Sequence, residues 1–367
     1  MRARVGGLAA DHGNAGQVTS QSIPFVYREG AEDSLSTAQH SATRAWCKLT
    51  NCHVIPESIE IMQECARKPG ELYRMIGKPS VYRLAGVGPG GVNVIAKRCE
   101  SAAAVAECSI YESVLSHLPV SMLCCYGLVA DDDQQFCWLF LEDAGEEPYL
   151  LEVEEHRVLA GHWLGLMNVS AQELGTVARL PDRGPGFYLE RLLASRETIR
   201  EILEKWSLGD TDLALFRAII SHCDALEGRW GRIERFCNRL PRTLVHGDFA
   251  FQNARLRGGP AGTSLMIMDW EGAGWGSPAA DLAQFVGGSL SPDIRTYYSV
   301  VGSNWPRVGL ADLESQAELG RMFRLISSLD WTNSGYRAGV EGWYIGELNW
   351  CERELADWLR TADVQDQ

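Results

Sequence analysis

The stretch Leu244-Val245-His246-Gly247-Asp248-Phe249-Ala250-Phe251-Gln252-Asn253 passes from apolar to polar within three residues. Thr243 to Val245 reads as a short buried strand, and the loop after it carries His246, Asp248 and Asn253. Downstream, Leu265-Met266-Ile267-Met268-Asp269-Trp270-Glu271 is a second apolar strand ending in acid. Between the two, Arg257, Gly258, Gly259, Pro260, Ala261 and Gly262 form a dense turn signal. The spacing predicts a hairpin, with Ala254 to Leu256 running out and Leu265 to Met268 running back. The start of one hairpin strand lies opposite the end of the other. Asn253 and Asp269 therefore meet at the open end, with Asp248 close by. Three oxygen-bearing side chains at one spot suit a hard cation such as magnesium.

His-Gly-Asp, four residues, then Asn, followed by an apolar strand ending in Asp, resembles the aminoglycoside phosphotransferase and choline kinase family. The run Asp269-Trp270-Glu271-Gly272-Ala273-Gly274, with Asp281-Leu282-Ala283, is similar to the family's later pattern. The resemblance implies the fold of the eukaryotic protein kinases. This is an α+β, two-lobed fold, with a small antiparallel-sheet N-lobe and a larger, mostly helical C-lobe that carries the catalytic hairpin. It also implies ATP (or GTP) and magnesium as cofactors. In those terms Asp248 orients the acceptor hydroxyl, and Asn253 and Asp269 hold the metal. His246 braces the loop, Asp281 caps backbone nearby, and Glu271 has no assigned role. Protein kinases have Arg in place of Gly247 and Asp-Phe-Gly in place of Asp269-Trp270-Glu271, which favours the small-molecule branch. The loop residues Phe249, Ala250, Phe251 and Gln252 are more apolar than the family's common Leu-His-x-Gly, so the acceptor's chemistry stays open.

Upstream, Ile76 to Leu84 and Val92 to Lys97 read as strands of a small antiparallel sheet. Gly88-Pro89-Gly90-Gly91 lies between two strands with no following Lys-Ser/Thr helix, so it is a hairpin turn rather than a phosphate loop. The candidate for a loop over the nucleotide phosphates is Gly77 to Ser80. Lys97 closes a β-rich run as the kinase lysine does in Val-Ala-Ile-Lys. Strand alternation puts Ile95 on its face, where an apolar side chain would cover the adenine. Ala102 to Leu118 has helical spacing, and Glu107 shares a face with Tyr111 and Val114. Glu107 matches the family's helix glutamate that pairs with the sheet lysine; Glu112 falls on another face. Met122 to Val129 and Phe136 to Leu141 read as two more strands. Leu141-Glu142-Asp143-Ala144-Gly145 resembles the hinge, where backbone groups would bind the adenine edge.

Pro56 to Arg67 has helical character, and from Val153 onward the pattern turns helical. Helices are expected over Leu189 to Leu203, Leu213 to Phe236, Asp281 to Val286, Leu310 to Ile326 and Trp343 to Leu359. Trp331, Trp343 and Trp350 fall where relatives build the acceptor pocket, although helix packing accounts for any one of them. The expected division is 1–54 as an N-terminal extension, partly disordered or helical, 55–142 as the nucleotide-binding lobe, and 143–367 as the catalytic and acceptor-binding lobe.

The composition, 46% apolar and 22% charged, is that of a globular protein. A net charge of −14 with no basic stripe argues against nucleic acid as a partner. Eleven cysteines without a Cys-x-x-Cys pair read as core thiols of a reducing cytosol and argue against a zinc site. No apolar run approaches the roughly 20 residues of a membrane span, and no signal-peptide pattern opens the chain, so a cytoplasmic enzyme is expected. The expected activity is transfer of a phosphoryl group to a hydroxyl of a small molecule: an antibiotic, another natural product, a sugar or an amino alcohol. The alternatives are a protein or peptide kinase of the same fold and a catalytically silent nucleotide-binding scaffold.

Overall fold

Five antiparallel strands build the smaller lobe of the computed structural model, which describes residues 31–62, 80–131, 135–175, 179–205, 208–260, 262–283, 292–337 and 344–365. They are β1 (Ile59–Ile61), β2 (Ser80–Leu84), β3 (Val94–Glu100), β4 (Cys125–Ala130) and β5 (Phe136–Glu142), in the order β1-β2-β3-β5-β4. Period-two alternation gives the sheet two faces. Tyr82, Leu84, Val94, Ala96, Trp138 and Phe140 form a core with Ala42, Ala45 and Trp46 of helix α1 (Ala31–Thr50). Trp46 lies 5.2 Å from Phe140 and 5.5 Å from Tyr126, ring centroid to ring centroid. The segment to which the sequence assigned no role thus covers one face of the sheet. On the other face Leu139 and Leu141 join Ile110 and Tyr111 of α2 (Ser101–Ser113).

One expected helix is a strand. Ile59 to Ile61 pairs antiparallel with Leu84 to Tyr82, where Pro56 to Arg67 had helical spacing. Ile59, Glu60 and Ile61 fit either period over so short a run, and the unpaired edge of β2 decides it. Residues 63–67 lie outside the described residues. Gly88 to Gly91 is the β2–β3 turn, as expected, with Gly88 N donating to Val92 O at 2.9 Å. Strand β3 runs three residues past Lys97, and α2 ends before Val114, followed by a single 3-10 turn at Leu115–His117.

The larger lobe is mostly helical: α3 (Glu154–Gln172), α4 (Pro185–Lys205), α5 (Asp210–Cys237), α6 (Ile294–Val301), α7 (Leu310–Arg337) and α8 (Tyr344–Gln365). Helices α4, α5, α7 and α8 enclose their own apolar core around Phe216, Ile219, Phe323 and Leu348. Helix α6, which the sequence reading passed over, starts where the Asp293 carboxylate caps Thr296 N at 2.7 Å. The expected helix at Asp281 to Val286 is a 3-10 turn over Pro278–Asp281, and 284–286 lie outside the described residues. The fold is therefore the expected two-lobed α+β arrangement.

The hairpin is present as read. Strand β8 (Ala254–Gly259) pairs antiparallel with β9 (Gly262–Ile267), with Ala254 opposite Ile267. Met268 N extends the ladder to Asn253 O at 3.0 Å. Strand β7 (Thr243–Val245) pairs with β10 (Gly274–Gly276), which runs parallel to β6 (Asp182–Arg183). Both acid-bearing loops of the hairpin are thereby pinned at their far ends by one small sheet.

Candidate active site

Lys97 is buried on β3, between an acid from each lobe. Its ammonium donates to Glu107 Oε2 at 2.7 Å and to Asp269 Oδ1 at 2.5 Å, with Glu271 Oε2 at 3.8 Å. Burial opposes the charge on Lys97, but the carboxylates of Glu107, Asp269 and Glu271 outweigh it, and the group stays an ammonium with its pKa raised. Glu107 is 1% exposed and uses both oxygens, since Oε1 accepts from Trp270 N at 3.3 Å. Helix α2 thus orients Lys97 and grips the turn after Asp269 at once. Asp269 is left-handed, at φ 70° and ψ 61°. An L residue reaches that region at a cost and persists there when its surroundings fix it. Here the Lys97 bond to its side chain and the Glu107 bond to the next residue's N–H flank it.

The loop from His246 to Asn253 is held from below by two buried polar residues. Asp281, fully buried, accepts from His246 N at 2.6 Å and from Gly247 N at 3.0 Å. His246, also fully buried, donates from Nε2 to Met268 O at 2.9 Å and accepts from Asp248 N at Nδ1, 3.2 Å away. Its ring lies 4.5 Å from Trp270, which packs on Trp163, and Trp163 stacks on Phe249. The apolar filling of the loop is therefore core: Phe249 is 1% exposed and Ala250 3%. Phe251, at 39% exposed, and Gln252 reach solvent.

Asp248 is the carboxylate these contacts present. Its Oδ2 accepts from Asn253 Nδ2 at 3.0 Å, and its Oδ1 from Arg324 at 2.9 Å. Burial pushes the Asp248 carboxyl up, yet Arg324, His246 and Asn253 together hold it below the usual aspartate value. Asn253 spends its amide nitrogen on Asp248, on both the side chain and the main-chain oxygen. That leaves the Asn253 side-chain oxygen Oδ1 and Asp269 Oδ2 without a hydrogen bond among the described residues. Two oxygen donors at the base of one hairpin fit a hard divalent cation such as magnesium, which takes oxygen ligands.

The structure brings together Lys97, Glu107, Asp269, Asn253, Asp248, His246 and Asp281. Ile95 lies on the Lys97 face of β3, half-buried against Leu141. Ser80 is exposed at the first position of β2, and Gly77 lies outside the described residues. Trp331 is 39% exposed on α7, Trp350 packs on the helical core, and Trp343 lies outside the described residues. Two arginines at the site went unread. Arg257, on the hairpin, ties down the end of β5 with bonds to Glu142 Oε1 and Asp143 O, both 2.7 Å. Arg324 also donates to Ala283 O at 2.9 Å. Its sequence signal was a cation inside the apolar run Met322-Phe323-Arg324-Leu325-Ile326.

Residues 79–310, well over half of the chain, match the phosphotransferase enzyme family. The chain belongs to that family. Solved structures agree on the fold. The GDP complex of wild-type aminoglycoside 2'-phosphotransferase-IIIa is similar at a TM-score of 0.59 and 13% identity, over 87% of this chain and 99% of that one. A choline kinase from Cryptosporidium parvum gives 0.58 and 13%, over 92% and 97%. A Plasmodium vivax ethanolamine kinase gives 0.52 and 14%, over 83% of each chain. No curated protein sequence matches the chain. No helix among the described residues is long and apolar enough to cross a membrane.

Proposed function

We propose that this phosphotransferase moves the terminal phosphoryl group of ATP or GTP onto a hydroxyl of a small molecule. The observation that carries the reading is the Lys97 ammonium bonded at once to Glu107 of the smaller lobe and Asp269 of the hairpin. Family membership supports it. So do the nucleotide in the GDP complex of the similar aminoglycoside enzyme and the names of the choline and ethanolamine kinases. Gly247 and Glu271, in place of the protein-kinase residues, favour a small acceptor over a protein.

Phosphoryl transfer needs in-line positioning and charge neutralisation more than covalent help. In this reading Asp248 accepts a hydrogen bond from the acceptor hydroxyl and aims its oxygen. Its lowered pKa makes it a weak base, so orientation comes first and the proton leaves late. Lys97 neutralises phosphate charge and Glu107 keeps it aimed. Asn253 and Asp269 would hold magnesium, which supplies further charge neutralisation when bound. Ile95 covers the base, and Gly77 to Ser80 would cover the phosphates. His246 and Asp281 keep the loop in register.

The test is magnesium-dependent nucleoside-diphosphate release against aminoglycosides, macrolides, nucleoside antibiotics, choline and simple sugars, with Asp248→Ala as control. Acceptor-stimulated release that the control loses supports the reading and names the substrate class. Asp248→Ala should keep nucleotide binding, whereas Asp269→Ala should weaken the magnesium-dependent part. Unchanged turnover in Asp248→Ala would overturn the assignment. Nucleotide binding without transfer to any acceptor would favour a silent scaffold.

A further inference from the structure

A second cluster of ligating groups lies on the other side of α2 from the phosphotransfer chemistry. Cys108 follows Glu107 in sequence, and Glu112 lies one helical turn further along the same face. Cys125, the first residue of β4, meets them: its Sγ is 3.2 Å from Cys108 Sγ. The two sulfurs and a Glu112 carboxylate oxygen all lie within 4.8 Å of one another. Cys108 is buried, Cys125 half-buried and Glu112 exposed, so the cluster opens to solvent at its carboxylate. Cys108 and Cys125 are both free thiols.

We infer that Cys108, Glu112 and Cys125 bind a thiophilic divalent cation of the zinc class, as a site separate from the oxygen-lined magnesium site. Donor chemistry makes the distinction. Thiolates select zinc and its soft analogues, whereas magnesium takes oxygen. Two thiolates about 2.3 Å from a shared tetrahedral ion stand roughly 3.8 Å apart. The observed 3.2 Å needs an opening of about half an ångström, within the play of two Cys rotamers. A disulfide would give Glu112 no part, while a metal uses it as third ligand and leaves the fourth position to water. Binding releases the two thiol protons to solvent as the metal–sulfur bonds form. No sequence spacing marks this set, because Cys125 comes from a different element than Cys108 and Glu112. The lack of a Cys-x-x-Cys motif therefore does not bear on this set.

The consequence is local and structural. A metal there ties the middle of α2 to the start of β4, one residue from the carboxylate that aims Lys97. The test uses the full-length reduced chain, stripped of metal, with cadmium and then zinc as probes. The expected result is one cadmium per chain with a thiolate charge-transfer band in the ultraviolet. Zinc should displace the cadmium, and melting should shift upward with either metal. Cys125→Ser should remove the band. Glu112→Gln, a change at an exposed position, should weaken affinity about tenfold, or ~1.4 kcal/mol. Cys124→Ser, altering the exposed neighbouring thiol, should change nothing. The inference is overturned if the wild-type chain shows no stoichiometric band, or if Cys124→Ser removes it while Cys125→Ser keeps it. It is also overturned if peptide mapping of the freshly reduced chain finds Cys108 and Cys125 joined to each other with cadmium present.

Discussion

Arg324, on α7, donates to Oδ1 of Asp248 at 2.9 Å from 76 residues further along the chain. The pair puts a cation beside the carboxylate proposed to orient the acceptor. Because Arg324 also bonds Ala283 O, its guanidinium is fixed rather than free to swing. Arg324→Gln removes the charge that offsets the burial of Asp248. The Asp248 pKa then rises, because the neighbouring guanidinium no longer favours the charged form. In the proposed mechanism Asp248 acts as the carboxylate, so the acid limb of kcat/KM against pH should move to higher pH, while nucleotide affinity holds. An unmoved acid limb would separate Arg324 from the titration of Asp248.

Gly247 is the one loop position where only glycine fits. Its φ is +80°, and a Cβ there would sit 2.5 Å from Gly272 O, a backbone atom that cannot step aside. Gly247→Ala should cost about 1–3 kcal/mol in conformational strain alone, and more from the contact. It should also pull Asp248 off target. Stability in chemical denaturation and kcat, measured together, should both fall; normal values for both would show that the 3-10 turn ending at Gly272 yields.

The hairpin and its acids were legible because they are local. Two apolar strands, a glycine-rich turn and side chains at fixed offsets fix Asn253 beside Asp269 without any knowledge of the rest. Lys97 and Glu107 were legible only through resemblance, since nothing in β3 alone says what the lysine meets. Arg324, Arg257 and the Cys108–Cys125 contact were not legible, because each joins elements far apart in the chain. Helix α1 escaped for another reason. Its buried face, Ala42, Ala45 and Trp46, is mostly small residues that carry little apolar signal until the sheet supplies the partner surface.

Asp281 accepts two backbone N–H groups with its two oxygens, in full burial. Burial pushes its pKa up, and the His246 and Gly247 amides pull it back only in part. Asp281→Asn keeps the volume but turns one acceptor into a donor facing another donor. The unsatisfied group should cost about 1–3 kcal/mol. The lost bond should also loosen the loop, lowering kcat more than nucleotide affinity. If Asp281→Asn melts as wild type, the loop is held by the His246–Met268 bond instead.

Lys97 and Glu107 form the most deeply buried ion pair at the site, with side chains 7% and 1% exposed. Removing one partner strands the other. Lys97→Met should cost about 3–5 kcal/mol, because Glu107 loses the cation that offsets its burial. Adding Glu107→Gln should recover part of that loss, so the double variant should be more stable than the sum of the singles by about 0.5–3 kcal/mol. The pH dependence has a fixed sign. With Lys97 gone, the Glu107 pKa in the folded chain lies further above its unfolded value. A raised carboxyl favours the folded state at low pH and loses that advantage as pH rises through the folded pKa. Lys97→Met should thus lose more stability, relative to wild type, in mildly alkaline than in mildly acidic buffer, and Glu107→Gln should abolish that slope. Strictly additive losses with no pH slope would mean that the two groups do not share one charge balance, and that Asp269 alone holds the lysine.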